Sequence, residues 1–184
     1  MLVTKTLQVL SEQARLFDRA MTFDGRPRER LVALGEAEEL CYRLYPVHYR
    51  SLQVIRAASQ VARASAPRPD ALQRCESHLI GLLSDVMLEG VHAGDLHLAA
   101  PRRPEEVAFT LWALAFGARA LMHTAVAASQ LNIADGFRTA RDAADMLLDA
   151  LNWQPLASEW DYELTRTRIR REVFPDEWRR ACAA

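Results

Sequence analysis

Apolar residues recur at helical spacing over most of the chain, and the densest run lies between Pro104 and Leu131. One face of this run is aliphatic and carries Val107, Leu111, Leu114, Ala118, Leu121 and Ala125. A second face carries Trp112, Phe116, Arg119 and His123, and a third carries Ala113, Gly117 and Ala120. A surface helix of a monomer needs only one apolar stripe, so this segment is predicted to be central in the fold or shared with a second subunit.

Similar spacing, interrupted by proline, glycine and asparagine, predicts helices along the rest of the chain. They are expected over about 3–23, 27–45, 46–65, 70–92, 136–151 and 158–172. Asp24 is expected to cap the second of these helices, with Pro27 in its first turn. No alternating run of β-branched residues is long enough for a strand. The pattern therefore predicts an all-α, single-domain bundle of about six to eight helices.

Composition narrows the possible classes of protein. The 184 residues include 23 Lys and Arg against 24 Asp and Glu, so the net charge of −1 gives no argument for nucleic-acid binding. Cys41, Cys75 and Cys182 are scattered, which implies no disulfide framework and fits the cytoplasm. The N-terminus lacks the apolar core of a secretory signal, and Arg119 and His123 make the densest apolar run too polar for a membrane span.

No motif indicates an enzyme, a cofactor or a metal site. Cys75 and His78 share a helical face, but no second pair completes a tetrahedral set of ligands. His92, Asp95 and His97 surround a loop, where a solvated turn is the favoured interpretation. The chain also lacks a Gly-x-Ser-x-Gly elbow, a phosphate-binding glycine loop and an HExxH pair. We therefore predict no enzymatic activity, no cofactor and no metal.

The predicted second helix gives the clearest indication of a ligand pocket. Glu38 falls within a broad apolar arc, where a carboxylate is costly unless a ligand, water or a cation satisfies it. It either contacts a ligand or pairs with an arginine such as Arg119. An aromatic wall with a few polar groups is typical of small-molecule pockets, and the candidate effector-binding residues are Phe17, Glu38, Cys41, Tyr42, Tyr45, Tyr49, Met87, Trp112, Phe116, Arg119 and His123. Core packing is the alternative for Phe17, Tyr49 and Met87.

Two neighbouring helices have apolar surface suited to a dimer. The helix over 136–151 carries a broad apolar stripe, and the segment before it is apolar on several faces. A helical dimer interface requires such surfaces, although core helices of a monomer can share them. We predict a homodimer with the interface residues Ala113, Gly117, Ala120, Leu121, Phe137, Ala140, Ala144, Leu147 and Leu151.

Three segments carry a resemblance to a known family: Asp24–Leu31, Pro104–Leu114 and Met146–Pro155. Together they resemble the C-terminal regulatory domain of TetR/AcrR-type transcriptional regulators, over roughly 2–155. The resemblance implies a small effector bound inside the bundle and a dimer built by its last two helices. Family members bind DNA through an N-terminal helix-turn-helix region. No segment here has that pattern, so DNA binding is expected only through a region that is not in this chain.

The leading hypothesis is therefore the effector-sensing and homodimerisation domain of a bacterial, cytoplasmic TetR-type regulator. This domain would span 1–155, and an Arg-rich tail helix over 156–184 would pack on it. The effector is expected to be small and largely apolar, with no membrane partner. The alternatives are an interaction protein that dimerises with full-length paralogues, and a small all-α enzyme.

Overall fold

A computed structural model describes residues 2–61, 70–122, 130 and 132–183. Within these ranges the chain forms eight helices and no strand, which confirms the predicted all-α bundle. In chain order the helices are α1 Leu2–Ala20, α2 Pro27–Leu44, α3 Pro46–Val61, α4 Asp70–His92, α5 Pro104–Met122, α6 Gly136–Ala150, α7 Tyr162–Glu172 and α8 Pro175–Ala183.

Prolines and acidic caps set most of the helix starts. Pro27, Pro46, Pro104 and Pro175 each stand at the first position of a helix, where the missing N–H is not needed. Asp135 caps α6 by accepting hydrogen bonds from two backbone N–H groups at 2.9 and 3.1 Å. These signals explain why the predicted starts of α2, α3, α5 and α6 agree with the structure.

Two details of the predicted helices are wrong. The N-cap residue of α2 is Arg26 rather than Asp24. The backbone N–H of Arg26 donates a hydrogen bond to the Glu29 carboxylate at 3.0 Å. The predicted tail helix over 158–172 begins instead at Tyr162, after Asp161. A further helix, α8, begins at Pro175 and was not predicted. A proline followed by two acidic residues, here Asp176 and Glu177, is a usual helix start.

The central helix is α2, and not the more apolar α5. It contacts α1, α3, α4, α7 and α8, and 13 of its 18 residues are buried. By contrast, the buried residues of α5 are Val107, Ala108 and Arg119. Helix α5 packs on α4 with one side and on α6 with another, so that α5 and α6 form one edge of the bundle.

The main hydrophobic core surrounds α2 and includes the C-terminal segment. Phe17 of α1, Leu40 of α2 and Met87 of α4 belong to the same cluster as Ile169 and Phe174. Burial of large apolar side chains is the dominant favourable term in folding, so the last helices share the core of the earlier ones. A smaller cluster between α1, α3 and α4 contains Leu10, Leu52, Leu72 and Cys75.

Arg28 joins the start of α2 to the end of α6. Its guanidinium is fully buried and donates hydrogen bonds to the carbonyl oxygens of Trp153 and Pro155 at 2.6 and 2.9 Å. One of its nitrogens lies 2.7 Å from the Asp149 carboxylate, and its Cζ lies 4.7 Å from the centre of the Tyr162 ring. These contacts of a buried guanidinium fix the loop that leads from α6 to α7.

We expect Arg28→Leu to lower the free energy of unfolding by about 3–5 kcal/mol, because it leaves buried acceptors without their donor. Urea denaturation followed by circular dichroism measures the change. Arg138→Leu is the control: its side chain on α6 is 75% exposed and faces Asp142 at 3.9 Å, so a change within about 0.5 kcal/mol is expected. Equal effects of the two substitutions would contradict the role of Arg28.

Candidate functional site

A cavity of about 130 Å³ lies where α2, α4, α5 and α6 meet. Its apolar wall comes from all four helices and includes Leu31, Leu34, Leu79, Leu83, Leu111, Trp112, Phe137 and Leu148. Its polar wall is formed by Glu36, Glu38, Glu39, Arg119, Arg141, Asp145 and Arg166. The cavity thus combines a ring-sized apolar space with an unusual number of charged groups, which are paired with one another.

Glu38 and Arg119 form a buried ion pair at this cavity. An Nη2 of Arg119 donates to Glu38 Oε1, and the two residues are 5% and 7% exposed. The Tyr49 hydroxyl donates to the same Glu38 oxygen at 3.2 Å, and the Arg119 guanidinium lies 5.4 Å from the centre of the Tyr49 ring. The structure therefore shows the pairing that the sequence left as one of two interpretations of Glu38.

Burial affects the pKa of Arg119 in this pair and the pKa of the neighbouring Cys41. Burial acts to lower the pKa of Arg119, but the Glu38 carboxylate and Tyr49 outweigh it and hold this pKa above its ordinary value. Burial, with Glu38 nearby, raises the pKa of the Cys41 thiol well above its usual range. Arg119 therefore stays charged, and Cys41 stays a protonated thiol without the reactivity of a thiolate.

The other carboxylates that line the cavity are paired in the same way. Glu39 accepts hydrogen bonds from Arg43 at 2.8 Å and from Arg141 at 2.6 Å. Glu36 accepts from Arg170 of α7 at 2.6 Å. Asp145 of α6 accepts from Arg166 at 3.0 Å. Each of these carboxylates thus has an arginine from its own or a neighbouring helix.

The predicted effector-binding residues divide into separate groups in the structure. Glu38, Trp112 and Arg119 line the cavity. Other members lie in the core or pack against it, namely Phe17, Cys41, Tyr45 and Met87. Two more form an aromatic chain, in which the Tyr42 ring lies 5.4 Å from Tyr49 and 4.9 Å from Phe137. Phe116 is partly buried on α5, and His123 lies outside the described residues.

Several cavity residues were missed by the sequence analysis. Glu36 and Glu39 lie on α2 near Glu38, and the same helical wheel could have indicated them, because a helix buried all round must also bury its carboxylates. Arg141 and Arg166 carry no comparable signal, since an arginine that will be buried has the same local sequence as one that stays in solvent.

The outer surface of α5 and α6 carries an apolar groove of about 440 Å³. Its lining residues are Ala113, Leu114, Gly117, Ala118, Leu121, Met122, Ile133, Gly136, Thr139, Ala140 and Ala143. At Gly117, an added Cβ would meet no atom of the described residues within 4 Å. Leu121 and Met146 are 59% and 73% exposed at this edge of the bundle. The groove is therefore open and apolar, and Met146 lies beside it because it follows the lining residue Ala143 by three positions on α6.

The predicted interface residues fall on three surfaces. Ala113, Gly117, Leu121 and Ala140 line the outer groove, and Ala120 beside them is partly buried. Leu147 and Leu151 line a different groove, between α6 and the loop before α5. Phe137 and Ala144 line the cavity between α2, α4, α5 and α6 instead, and Phe137 is 8% exposed in the single chain. The helical wheel could not distinguish the inner from the outer side of α6, because both carry small or apolar residues.

Two features of other protein classes are absent from the part of the chain that the structure describes. No helix there has both the length and the apolar character needed to cross a membrane. No group of three or more His, Cys, Asp or Glu side chains there is arranged to hold a metal ion. Comparison with protein-family models, curated proteins and solved structures finds no match to this chain.

We expect Glu38→Leu to destabilise the fold by about 3–5 kcal/mol, because it leaves the Arg119 guanidinium buried without its counterion. The double variant Glu38→Leu/Arg119→Met removes both charges and should recover most of that loss. Chemical denaturation of the wild type, both single variants and the double variant gives the coupling energy. Additive effects of the two single substitutions would contradict a direct pair.

Proposed function

We propose that this chain is the effector-sensing and homodimerisation domain of a TetR-type transcriptional regulator in the bacterial cytoplasm. In this proposal a small molecule binds in the cavity between α2, α4, α5 and α6. A second copy of the chain packs on the outer surface of α5 and α6. Contact with DNA would belong to a helix-turn-helix region outside this chain.

The observation that carries the proposal is the two-sided position of α5 and α6. Trp112, Ala115 and Arg119 of α5 face the cavity, while Ala113 and Gly117 of the same helix face the outer groove. Helix α6 repeats this arrangement. Ala140 borders both spaces. The cavity and the groove are therefore separated only by the single layer that α5 and α6 form.

The outer groove favours a second helical pair as its occupant. Its small residues permit the close approach of another helix, and the large exposed side chains at its border would be buried by the same contact. Exposed apolar patches of this kind are uncommon on monomeric proteins. The resemblance of Pro104–Leu114 and Met146–Pro155 to the corresponding family segments points to the same two helices.

A ligand in the cavity would act on the dimer through these helices. Any molecule that contacts Trp112 or Phe137 more favourably in one position of α5 and α6 shifts the population toward that position. Because the same helices form the proposed interface, the relative placement of the two subunits would change with them. In a full-length regulator this change would alter the spacing of the two DNA-binding regions.

Native mass spectrometry of the freshly purified chain tests the proposal. We expect a mass near twice 20.8 kDa, with additional mass from a retained small molecule that is lost under denaturing conditions. Ala144→Leu should abolish the additional mass and keep the dimer, because it adds three carbons to a cavity of about 130 Å³. A monomer without bound molecule would contradict both parts of the proposal.

Charged substitutions beside the outer groove of α5 and α6 test the proposed interface separately. We expect Leu121→Glu/Met146→Glu to give monomers, because the proposed contact would bury four carboxylates without partners. Light scattering coupled to size-exclusion chromatography measures the mass. Leu164→Glu is the control, since Leu164 is 58% exposed on α7 and should leave the dimer intact. Dimers of the double variant would place the interface on another surface.

A further inference from the structure

Three arginines beside the cavity have an N–H group without an acceptor. The Nε atoms of Arg119, Arg141 and Arg166 are buried and have no hydrogen-bond partner among the described residues. All three side chains line the same cavity, and Arg119 and Arg166 are 5% and 4% exposed. The Arg166 Nε lies 3.7 Å from Glu36 Oε1, which is too far for a hydrogen bond. Buried donors normally find a partner, so the cavity has more donors than the protein satisfies.

The charges around the cavity are, in contrast, already compensated. Glu38 is paired with Arg119, Glu39 with Arg43 and Arg141, and Asp145 with Arg166. An ammonium group in the cavity would have to displace one of these arginines from its carboxylate. A carboxylate ligand would have to compete with the protein carboxylates that already hold the three cavity arginines. Both cases carry the cost of disrupting a buried ion pair.

The size and apolar wall of the cavity define the rest of the ligand. A volume of about 130 Å³ is close to that of an engineered protein cavity, roughly 150 Å³, that binds benzene. Leucines from four helices and the Trp112 ring provide the apolar contacts. A compact ring therefore fits the space, with a polar atom directed at the arginines.

We propose that the cavity binds a neutral ring compound with a carbonyl oxygen, such as a cyclic ketone, lactone or lactam. The carbonyl oxygen accepts hydrogen bonds from the Nε–H groups, and the ring packs against the leucines and Trp112. A carbonyl has two lone pairs and can accept from two of the three donors. The inference rests on the proposed function and specifies the chemical class of its effector.

Four ring compounds of similar size separate the possible ligand chemistries. Cyclohexanone carries the carbonyl, and methylenecyclohexane replaces its oxygen by a CH₂ group. Cyclohexylammonium carries a positive charge, and cyclopentanecarboxylate a negative one. Each is titrated into the ¹⁵N-labelled full chain, and the arginine Nε–H resonances are followed by NMR. We expect cyclohexanone to bind at least about tenfold more tightly than the other three and to shift these resonances.

Arg141→Lys and Arg43→Lys form a matched pair of variants. Both arginines contact Glu39, but only Arg141 lines the cavity. Lysine keeps the positive charge and places a methylene where the arginine Nε–H stood. We expect Arg141→Lys to reduce the preference for cyclohexanone over methylenecyclohexane by about threefold or more, and Arg43→Lys to leave that preference unchanged. Loss of the preference in both variants would overturn the assignment of the donor.

The outcomes separate this inference from the proposed function. If an ion or methylenecyclohexane binds as tightly as cyclohexanone, the cavity still binds a small molecule, but the carbonyl class is wrong. If none of the four compounds binds, the inference is overturned. In that case the molecule retained on the purified chain, measured by native mass spectrometry, decides separately whether the domain is a sensor.

Discussion

The fold depends on the pairing of buried charges along α2. This helix carries Arg28, Glu29, Glu36, Glu38 and Glu39 in its buried part, and each is satisfied mainly by a group from another part of the chain. Glu36 contacts α7 through Arg170, Glu38 contacts α5 through Arg119, and Glu39 contacts α6 through Arg141. A buried ion pair adds little net stability, but loss of one partner is expensive. The pairs therefore fix which helix lies against which side of α2 more than they strengthen the bundle.

The same pairing gives the cavity its character. The ion pairs lie beside the leucines of α4 and α5. The guanidinium groups of Arg119, Arg141 and Arg166 are each held there by a carboxylate. Their Nη atoms are used, while three Nε–H groups remain beside an apolar space. A site built in this way offers hydrogen-bond donors without offering net charge. Buried polar groups left without partners discriminate strongly between ligands that satisfy them and ligands that do not.

Helices α5 and α6 occupy the edge of the bundle because α2 takes the centre. An apolar helix at an edge cannot bury all its faces within its own chain, and the open groove with Leu121 and Met146 at its border is the consequence. Such surface suits a second subunit better than solvent. The cavity and the outer groove therefore result from one arrangement, in which α5 and α6 have their polar and aromatic contacts on the side of α2 and their small residues on the outer side.

The positions of most helices and the all-α class of the fold follow from the sequence alone. Its prolines and the Asp135 cap set where helices begin, because these signals act within one turn of the chain. Its apolar arc identified Glu38, and the shared face of Trp112 and Arg119 identified two more cavity residues, because a helical wheel depends only on spacing.

Which helix is central and which faces meet depend on contacts between distant parts of the chain. The apolar α5 is the natural candidate for the centre, and the charged α2 occupies it instead, because its charges find partners that are up to 136 residues away in the chain. Phe137 and Ala144 line the cavity, and Arg141 and Arg166 join the site from α6 and α7. Spacing along one helix fixes the relative directions of its side chains, but the neighbour on each side is set by packing and ion pairing over the whole chain.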